Sequence, residues 1–141
     1  MIQIFCNEKG SGKTKALVNL ANDKVLDGKG TIAYIDNNKR MLFELDNRIR
    51  FICAEDFKIR TYKDFEGFLC GVVSQNYDIE AIMIDSIINK LVEPLEDSKE
   101  LFSKIQYLSD EYNIDFYINI SGNYEELPQW IKKYARDEVK I

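Results

Sequence analysis

Short apolar runs and longer amphipathic stretches alternate along this chain. Ile2 to Cys6 reads as a first strand. From Lys13 to about Asp27, the residues Ala16, Leu17, Leu20, Ala21 and Val25 recur at three- and four-residue spacing, which predicts a helix with one buried stripe. Gly28 and Gly30 punctuate its end. Thr31 to Ile35 predicts a second strand running into Asp36. A short helix is predicted over Lys39 to Leu45 and a third strand over Arg50 to Cys53. Phe65, Phe68, Leu69, Val72 and Val73 mark another helix. The run Ile79-Glu80-Ala81-Ile82-Met83-Ile84-Asp85 is apolar almost throughout, as suits a central parallel strand buried on both faces. Pro94 is placed near the start of a long helix reaching Tyr112, since a first helical turn tolerates proline. Phe116 to Ile120 is the last expected strand, and Gln129 to Tyr134 belong to a C-terminal helix. This alternation predicts an α/β fold of three layers, with about five mostly parallel strands flanked by helices. No repeat, low-complexity tract or linker interrupts it, so residues 1–141 are taken as a single domain.

Composition narrows the chemistry. The chain of 141 residues carries 24 acidic and 19 basic side chains, a formal net charge of −5, and no histidine. Without histidine there is no imidazole general base, no Ser-His or Cys-His nucleophile and no His-ligated metal. Cys6, Cys53 and Cys70 are odd in number and far apart, which fits neither a disulfide framework nor a zinc knuckle. The acidic balance gives no electrostatic case for nucleic acid. No apolar run has the length of a membrane span, and MIQIFCNEKG lacks the pattern of a signal peptide, so the expected compartment is the cytoplasm.

Candidate chemistry concentrates in Asn7-Glu8-Lys9-Gly10-Ser11-Gly12-Lys13-Thr14, followed by Lys15. This segment resembles the Walker A pattern G-x-x-x-x-G-K-[ST] of P-loop NTPases, in the strand-loop-helix context that the pattern requires. Gly10 and Gly12 let backbone N–H groups close around phosphate oxygens, and the helix beginning near Lys13 adds the positive end of its dipole. The resemblance implies a P-loop nucleotide-binding domain in which Lys13 reaches the β- and γ-phosphates and Thr14 coordinates Mg²⁺. Asn7 stands where the pattern has its first glycine, and asparagine tolerates positive φ well. Lys9 is either a phosphate contact or a solvated lysine. Glu8 occupies the position of the signature lysine of the deviant Walker A group, so that subgroup is not assigned.

Ala81-Ile82-Met83-Ile84-Asp85 resembles a Walker B strand, whose aspartate holds Mg²⁺. The competing role for Asp85 is a cap on a following helix. Ser86 follows where many P-loop ATPases carry a water-polarising glutamate, which predicts slow hydrolysis. Glu8 and Asp36 are the candidate substitute bases, and Asp36 reads equally as a helix N-cap before Asn37-Asn38-Lys39-Arg40. Ser121 resembles the polar sensor residue after the last strand, or else begins a plain turn in Ser121-Gly122-Asn123. Phe43, Phe51, Phe57, Phe65 and Phe68 are expected in the core. Glu93, Glu96, Asp97 and Glu100 are expected on a solvated helix face. Trp130 is expected to dock the last helix or mark a partner surface. The arginines Arg40, Arg48, Arg50, Arg60 and Arg136 are scattered, and none is singled out as an arginine finger.

Across most of its length the chain resembles small P-loop proteins of anaerobic Firmicutes, often labelled ATP-binding protein or twitching-motility ATPase. The resemblance implies ATP and Mg²⁺ as ligands, with Lys13, Thr14 and Asp85 at the core of the site. It also implies that any arginine contribution comes from a second subunit or partner, so a homo-oligomer or a protein partner stays open. Three functions remain: a slow ATPase or nucleotide-dependent switch, a small-molecule kinase, and a non-catalytic interaction module with a degenerate loop. The chain lacks the acid pair and zinc lasso of thymidine kinases and the arginine-rich lid of adenylate-type kinases.

Overall fold

The apolar runs do pair as parallel strands. In the computed structural model, which describes residues 1–7, 12–28 and 30–136 (the side chains of Asn7 and Arg136 excepted), all five join one sheet, and a short sixth strand that the pattern did not predict is added at its edge. The strands are β1 (Ile2–Asn7), β2 (Thr31–Asp36), β3 (Arg50–Cys53), β4 (Ile79–Asp85), β5 (Asp115–Ser121) and β6 (Ala135–Arg136). Their order is β3-β2-β4-β5-β1-β6, and every neighbouring pair is parallel. Helix α1 (Lys13–Asp27) covers one face; α2 (Tyr62–Ser74) and α3 (Lys99–Tyr112) cover the other. A short α4 (Gln129–Lys132) packs beside α3.

The strand order explains that division. From β1 the chain crosses two strand positions to β2, whereas the steps β3 to β4 and β4 to β5 run in the opposite direction. Right-handed crossovers then place α1 on one face and α2 and α3 on the other. Side-chain alternation matches each face. Tyr34 and Met83 pack with Leu17, Val18 and Ala21 of α1, while Ile35, Ile82, Ile84 and Ile118 pack with Phe65, Leu69, Phe102 and Ile105. Such reversals leave a crevice beyond the carboxyl ends of the strands, where ligands of open α/β sheets bind.

The N-terminus of α2 is closed by a reciprocal cap. The Asp64 N–H donates to Thr61 Oγ1 at 3.0 Å, and the Thr61 N–H donates to Asp64 Oδ2 at 3.1 Å. The Arg60 N–H, which also donates to Asp64 Oδ2 at 3.1 Å, and the Thr61 N–H hold the exposed Asp64 carboxyl below the usual carboxylate range.

Several expected elements take a different form. The helix placed over Lys39 to Leu45 is only a 3-10 turn at Leu42–Glu44, because the preceding residues turn on Asn38 instead. Pro94 precedes a separate 3-10 turn at Leu95–Asp97. Buried Ser98 divides that turn from α3, its hydroxyl donating to the Leu95 carbonyl at 2.7 Å. Glu93 is not on a helix face; it accepts the Tyr62 N–H at 2.7 Å. The C-terminal helix ends at Lys132, and the chain then adds β6 beside β1. Trp130 does dock this last helix, donating from Nε1 to Ser98 Oγ at 3.0 Å. Phe65 is core as expected, but Phe43 and Phe57 are 93% and 60% exposed.

Candidate functional site

Helix α1 begins on Gly12, whose φ of 92° and ψ of 12° lie in the left-handed region that a residue without a Cβ enters freely. Glycine supplies no capping side chain, so α1 starts without the polar cap that α2 has. Lys13 follows and is only 7% exposed. Burial pulls its pKa down, and the negative charge of Asp85 opposes that shift. Thr14 comes next, and its hydroxyl donates to Asp85 Oδ1 at 3.3 Å. Lys15 is exposed and takes no part in the wall described below. Glu8, Lys9, Gly10 and Ser11, and the side chain of Asn7, lie outside the described residues.

Asp85 ends β4 and is the hub of the site. Besides Thr14, its Oδ1 accepts from Ser86 Oγ at 3.2 Å and from Asn119 Nδ2 at 3.1 Å, while Oδ2 accepts the Tyr34 hydroxyl at 2.8 Å. Strand register brings these groups together. Tyr34 pairs with Met83 and Asp36 with Asp85 across β2 and β4, and Ile84 pairs with Ile118 across β4 and β5. Alternation then turns Tyr34, Asp36, Asp85 and Asn119 to the α1 face. No helix follows Asp85 directly. Ser86 has φ 58°, a left-handed conformation that costs a residue with a side chain about 1–2 kcal/mol. The carboxylate therefore caps nothing and stays available at the strand end.

Asp36 is not a helix N-cap either. It is fully buried, its Oδ1 accepts the Asn37 N–H at 2.6 Å, and its Oδ2 has no hydrogen-bond partner. Burial first, and the neighbouring Asp85 charge second, push its pKa up to about 6. The same two causes push the Tyr34 phenol far up, so Tyr34 remains a donor. Asn119 Oδ1 is the second buried oxygen without a partner. An unsatisfied buried polar atom costs about 1–3 kcal/mol. Two of them, near the carboxyl ends of β2 and β5 on either side of β4, mark a place that a ligand or water would complete.

These strand ends and the start of α1 enclose a polar cavity of about 520 Å³. Its wall includes Gly12, Lys13, Thr14, Asp85, Asn119 and Ser121, together with Arg40 and Lys90. Asp36 lies behind this wall and not in it. Ser121 is in the wall but does not reach Asp85; its N–H donates to Asn89 Oδ1 at 2.8 Å and its carbonyl accepts from Asn89 Nδ2 at 2.9 Å. The polar β5 residue that touches Asp85 is Asn119, which the sequence reading had passed over as part of an apolar strand. Tyr34 and Arg40 were missed likewise. For Asn119 the available signal was a polar residue inside an otherwise apolar run. Among the described residues no group of three or more Cys, Asp or Glu could hold a metal by itself. A cation here would complete its shell with ligand oxygens, as Mg²⁺ commonly does.

A larger cavity of about 690 Å³ lies at the other end of the sheet, between β3 and α2, and is lined largely by apolar side chains such as Phe51, Phe57 and Phe68. It holds neither the buried carboxylates nor the orphaned oxygens. Lys39, at its edge, pairs with Asp56 at 3.2 Å.

No protein-family model matches the chain, and no curated protein matches it in sequence. Among solved structures it is similar to the flagellar accessory protein FlaH from Methanocaldococcus jannaschii, at a TM-score of 0.59 and 17% identity. The similarity covers 94% of this chain but 65% of FlaH, so the chain spans less than two-thirds of that protein's length. The likeness agrees with the fold described above: a three-layer α/β domain built on a parallel sheet. No helix among the described residues is long and apolar enough to cross a membrane.

Proposed function

We propose that this chain binds a nucleoside triphosphate with Mg²⁺, ATP being the first candidate, and acts as a slow ATPase or nucleotide-dependent switch. The observation that carries the reading is the hydrogen bond from Thr14 at the head of α1 to Asp85 at the end of β4. It brings a hydroxyl and a carboxylate together beside the buried ammonium of Lys13. These are hard oxygen donors of the kind Mg²⁺ takes, and Asn119, with its orphaned oxygen, shares the cavity wall with them.

In this reading Lys13 holds the β- and γ-phosphates, and backbone N–H groups of the Gly12 turn and the first turn of α1 hold phosphate oxygens. By the Walker A resemblance, Asn7, Glu8, Lys9, Gly10 and Ser11 would supply the rest of the loop, and Lys15 would add a backbone N–H from the first turn of α1. Thr14 and Asp85 are the metal ligands, and Tyr34 and Asn119 hold Asp85 in orientation. Bound Mg²⁺ supplies charge neutralisation at the phosphates. Hydrolysis is attack of water on the γ-phosphorus with cleavage of its bond to the β-bridging oxygen, yielding ADP and phosphate. Among the described residues Asp85 is the one carboxylate in the pocket wall, and Asp36 is screened behind it. Slow turnover in this reading rests on Ser86, which follows Asp85 where many P-loop ATPases carry a water-polarising glutamate.

A thermal melt with and without Mg–ATP, run beside Lys13→Ala, tests the reading. At one hundred times Kd a ligand stabilises by about 2.7 kcal/mol, a rise in Tm of about 5–10 °C for a domain of this size. The rise is expected in the native protein and absent in Lys13→Ala. No rise at millimolar Mg–ATP refutes the proposal.

A further inference from the structure

Among the described residues, the wall of the polar cavity carries three cations, Lys13, Arg40 and Lys90, against the single carboxylate of Asp85. Lys13 faces Asp85 and is buried. Arg40 is different in kind. It lies four residues beyond Asp36, on the connection from β2 to β3, and is fixed by Asn38. That side-chain oxygen accepts both the Arg40 backbone N–H at 2.9 Å and its Nε at 3.1 Å. The grip takes the Nε edge of the guanidinium and leaves both terminal nitrogens without a hydrogen bond or ion pair to any described residue.

Three other surface cations of this chain are paired with carboxylates. Arg48 is bound by the Asp46 carboxylate at 2.8 Å, Lys39 by Asp56 at 3.2 Å and Lys63 by Glu100 at 3.5 Å. Arg40 is held by a neutral amide and keeps its charge open. It shares the cavity wall with Asp85, Asn119 and Ser121, at the carboxyl ends of the strands. Ordering an arginine costs up to about 2 kcal/mol of side-chain entropy. Spending it on a cation at a pocket rim with no ion-pair partner among the described residues suits an anion that arrives from outside. The free fork of a guanidinium matches two phosphate oxygens at once.

We propose that Arg40 is a second phosphate-binding group of this cavity, joining Lys13 at the terminal phosphate of the nucleotide whose phosphates Lys13 and the start of α1 hold. The inference rests on the nucleotide reading above and deepens it. The chain then distinguishes a triphosphate from a diphosphate with a residue of its own, where the sequence had pointed to an arginine from another subunit. Asn38 is the positioning residue that aims it.

The test is titration calorimetry with Mg–ATP and with Mg–ADP on the native protein, Arg40→Ala, Arg40→Gln, Asn38→Ala and Lys13→Ala. A charge-assisted contact of this kind is worth about tenfold in affinity. Both Arg40 variants are expected to lose about tenfold for Mg–ATP while binding Mg–ADP within about twofold of native. Asn38→Ala should show a smaller loss of the same selective kind, and Lys13→Ala should weaken both ligands. Because Arg40 is exposed, its variants should melt with the native protein when no ligand is present. Equal losses for the two nucleotides, or no loss, overturn the role of Arg40 while leaving the pocket a nucleotide site. A native protein that binds neither nucleotide overturns the nucleotide reading, and the role of Arg40 with it.

Discussion

Asp36 should make the ligand-free protein less stable than it could be at neutral pH. Its pKa is raised from 3.8 to about 6, so folding disfavours its ionised form. For a raised carboxyl, the stability contribution is complete below the unfolded pKa and is lost as pH rises through the folded one. At pH 7 both states are largely ionised, and the folded state carries the penalty of a buried charge beside Asp85. With each pKa step worth about 1.4 kcal/mol, the penalty is at most about 3 kcal/mol, and partial relaxation lowers it to about 1–3. Asp36→Asn removes the charge and keeps an oxygen to accept the Asn37 N–H. Urea denaturation with EDTA present should therefore show the variant about 1–3 kcal/mol more stable than native at pH 7. At pH 4, where the carboxyl is mostly protonated in the fold and half so in the unfolded chain, the gain should shrink below about 1 kcal/mol. A variant no more stable than native at pH 7, or an equal gain at both pH values, would refute the claim that burial of this charge strains the site.

Two further substitutions probe the parts around it. Tyr34→Phe deletes the hydroxyl that donates to Asp85 Oδ2 and keeps the ring stacked on Phe51. Hydrogen bonds to charged groups are worth about 1.5–3 kcal/mol, so the urea midpoint should fall accordingly, and an unchanged midpoint contradicts the assignment of Asp85 as a held carboxylate. Thr61→Ala removes one half of the cap on α2 and should cost about 1 kcal/mol by the same assay, with no effect on nucleotide affinity because α2 lies on the face opposite α1.

The parts of the site that were legible in the sequence are those written along the chain. Gly12, Lys13 and Thr14 are consecutive and sit between a strand and a helix, and Asp85 ends a continuous apolar run. Such local signals survive without knowledge of which strands are neighbours. Asn119, Tyr34 and Arg40 belong to the site only because β2, β4 and β5 are adjacent and in register, which no window of sequence encodes. Asp36 and Ser121 were singled out as chemistry-bearing, but only the strand pairing shows that Asp36 is buried behind Asp85 and that Ser121 is bound to Asn89. The fold class followed from alternation alone. What misled was composition without context. Asn37 to Arg40 look like the opening of a helix but close on the Asn38 side chain, and Phe43 and Phe57 are aromatic yet exposed.

The position of β1 has a consequence for the order in which the molecule can be put together. The first strand of the chain pairs with β5 and β6, its register running from Ile2 opposite Phe116 to Asn7 opposite Ser121. The strands from β2 to β4 can pair with one another as soon as they exist, but β1 has no partner until β5 has been made. Because β5 lies between β1 and β4, it also sets the spacing between the head of α1 and Asp85. Lys13 and Asp85 thus meet at their working distance only when this late strand slides into the gap, at a loop-closure cost that spans most of the chain. A nascent or truncated chain ending before Asp115 can carry every residue of the Walker-like motifs and still have no site.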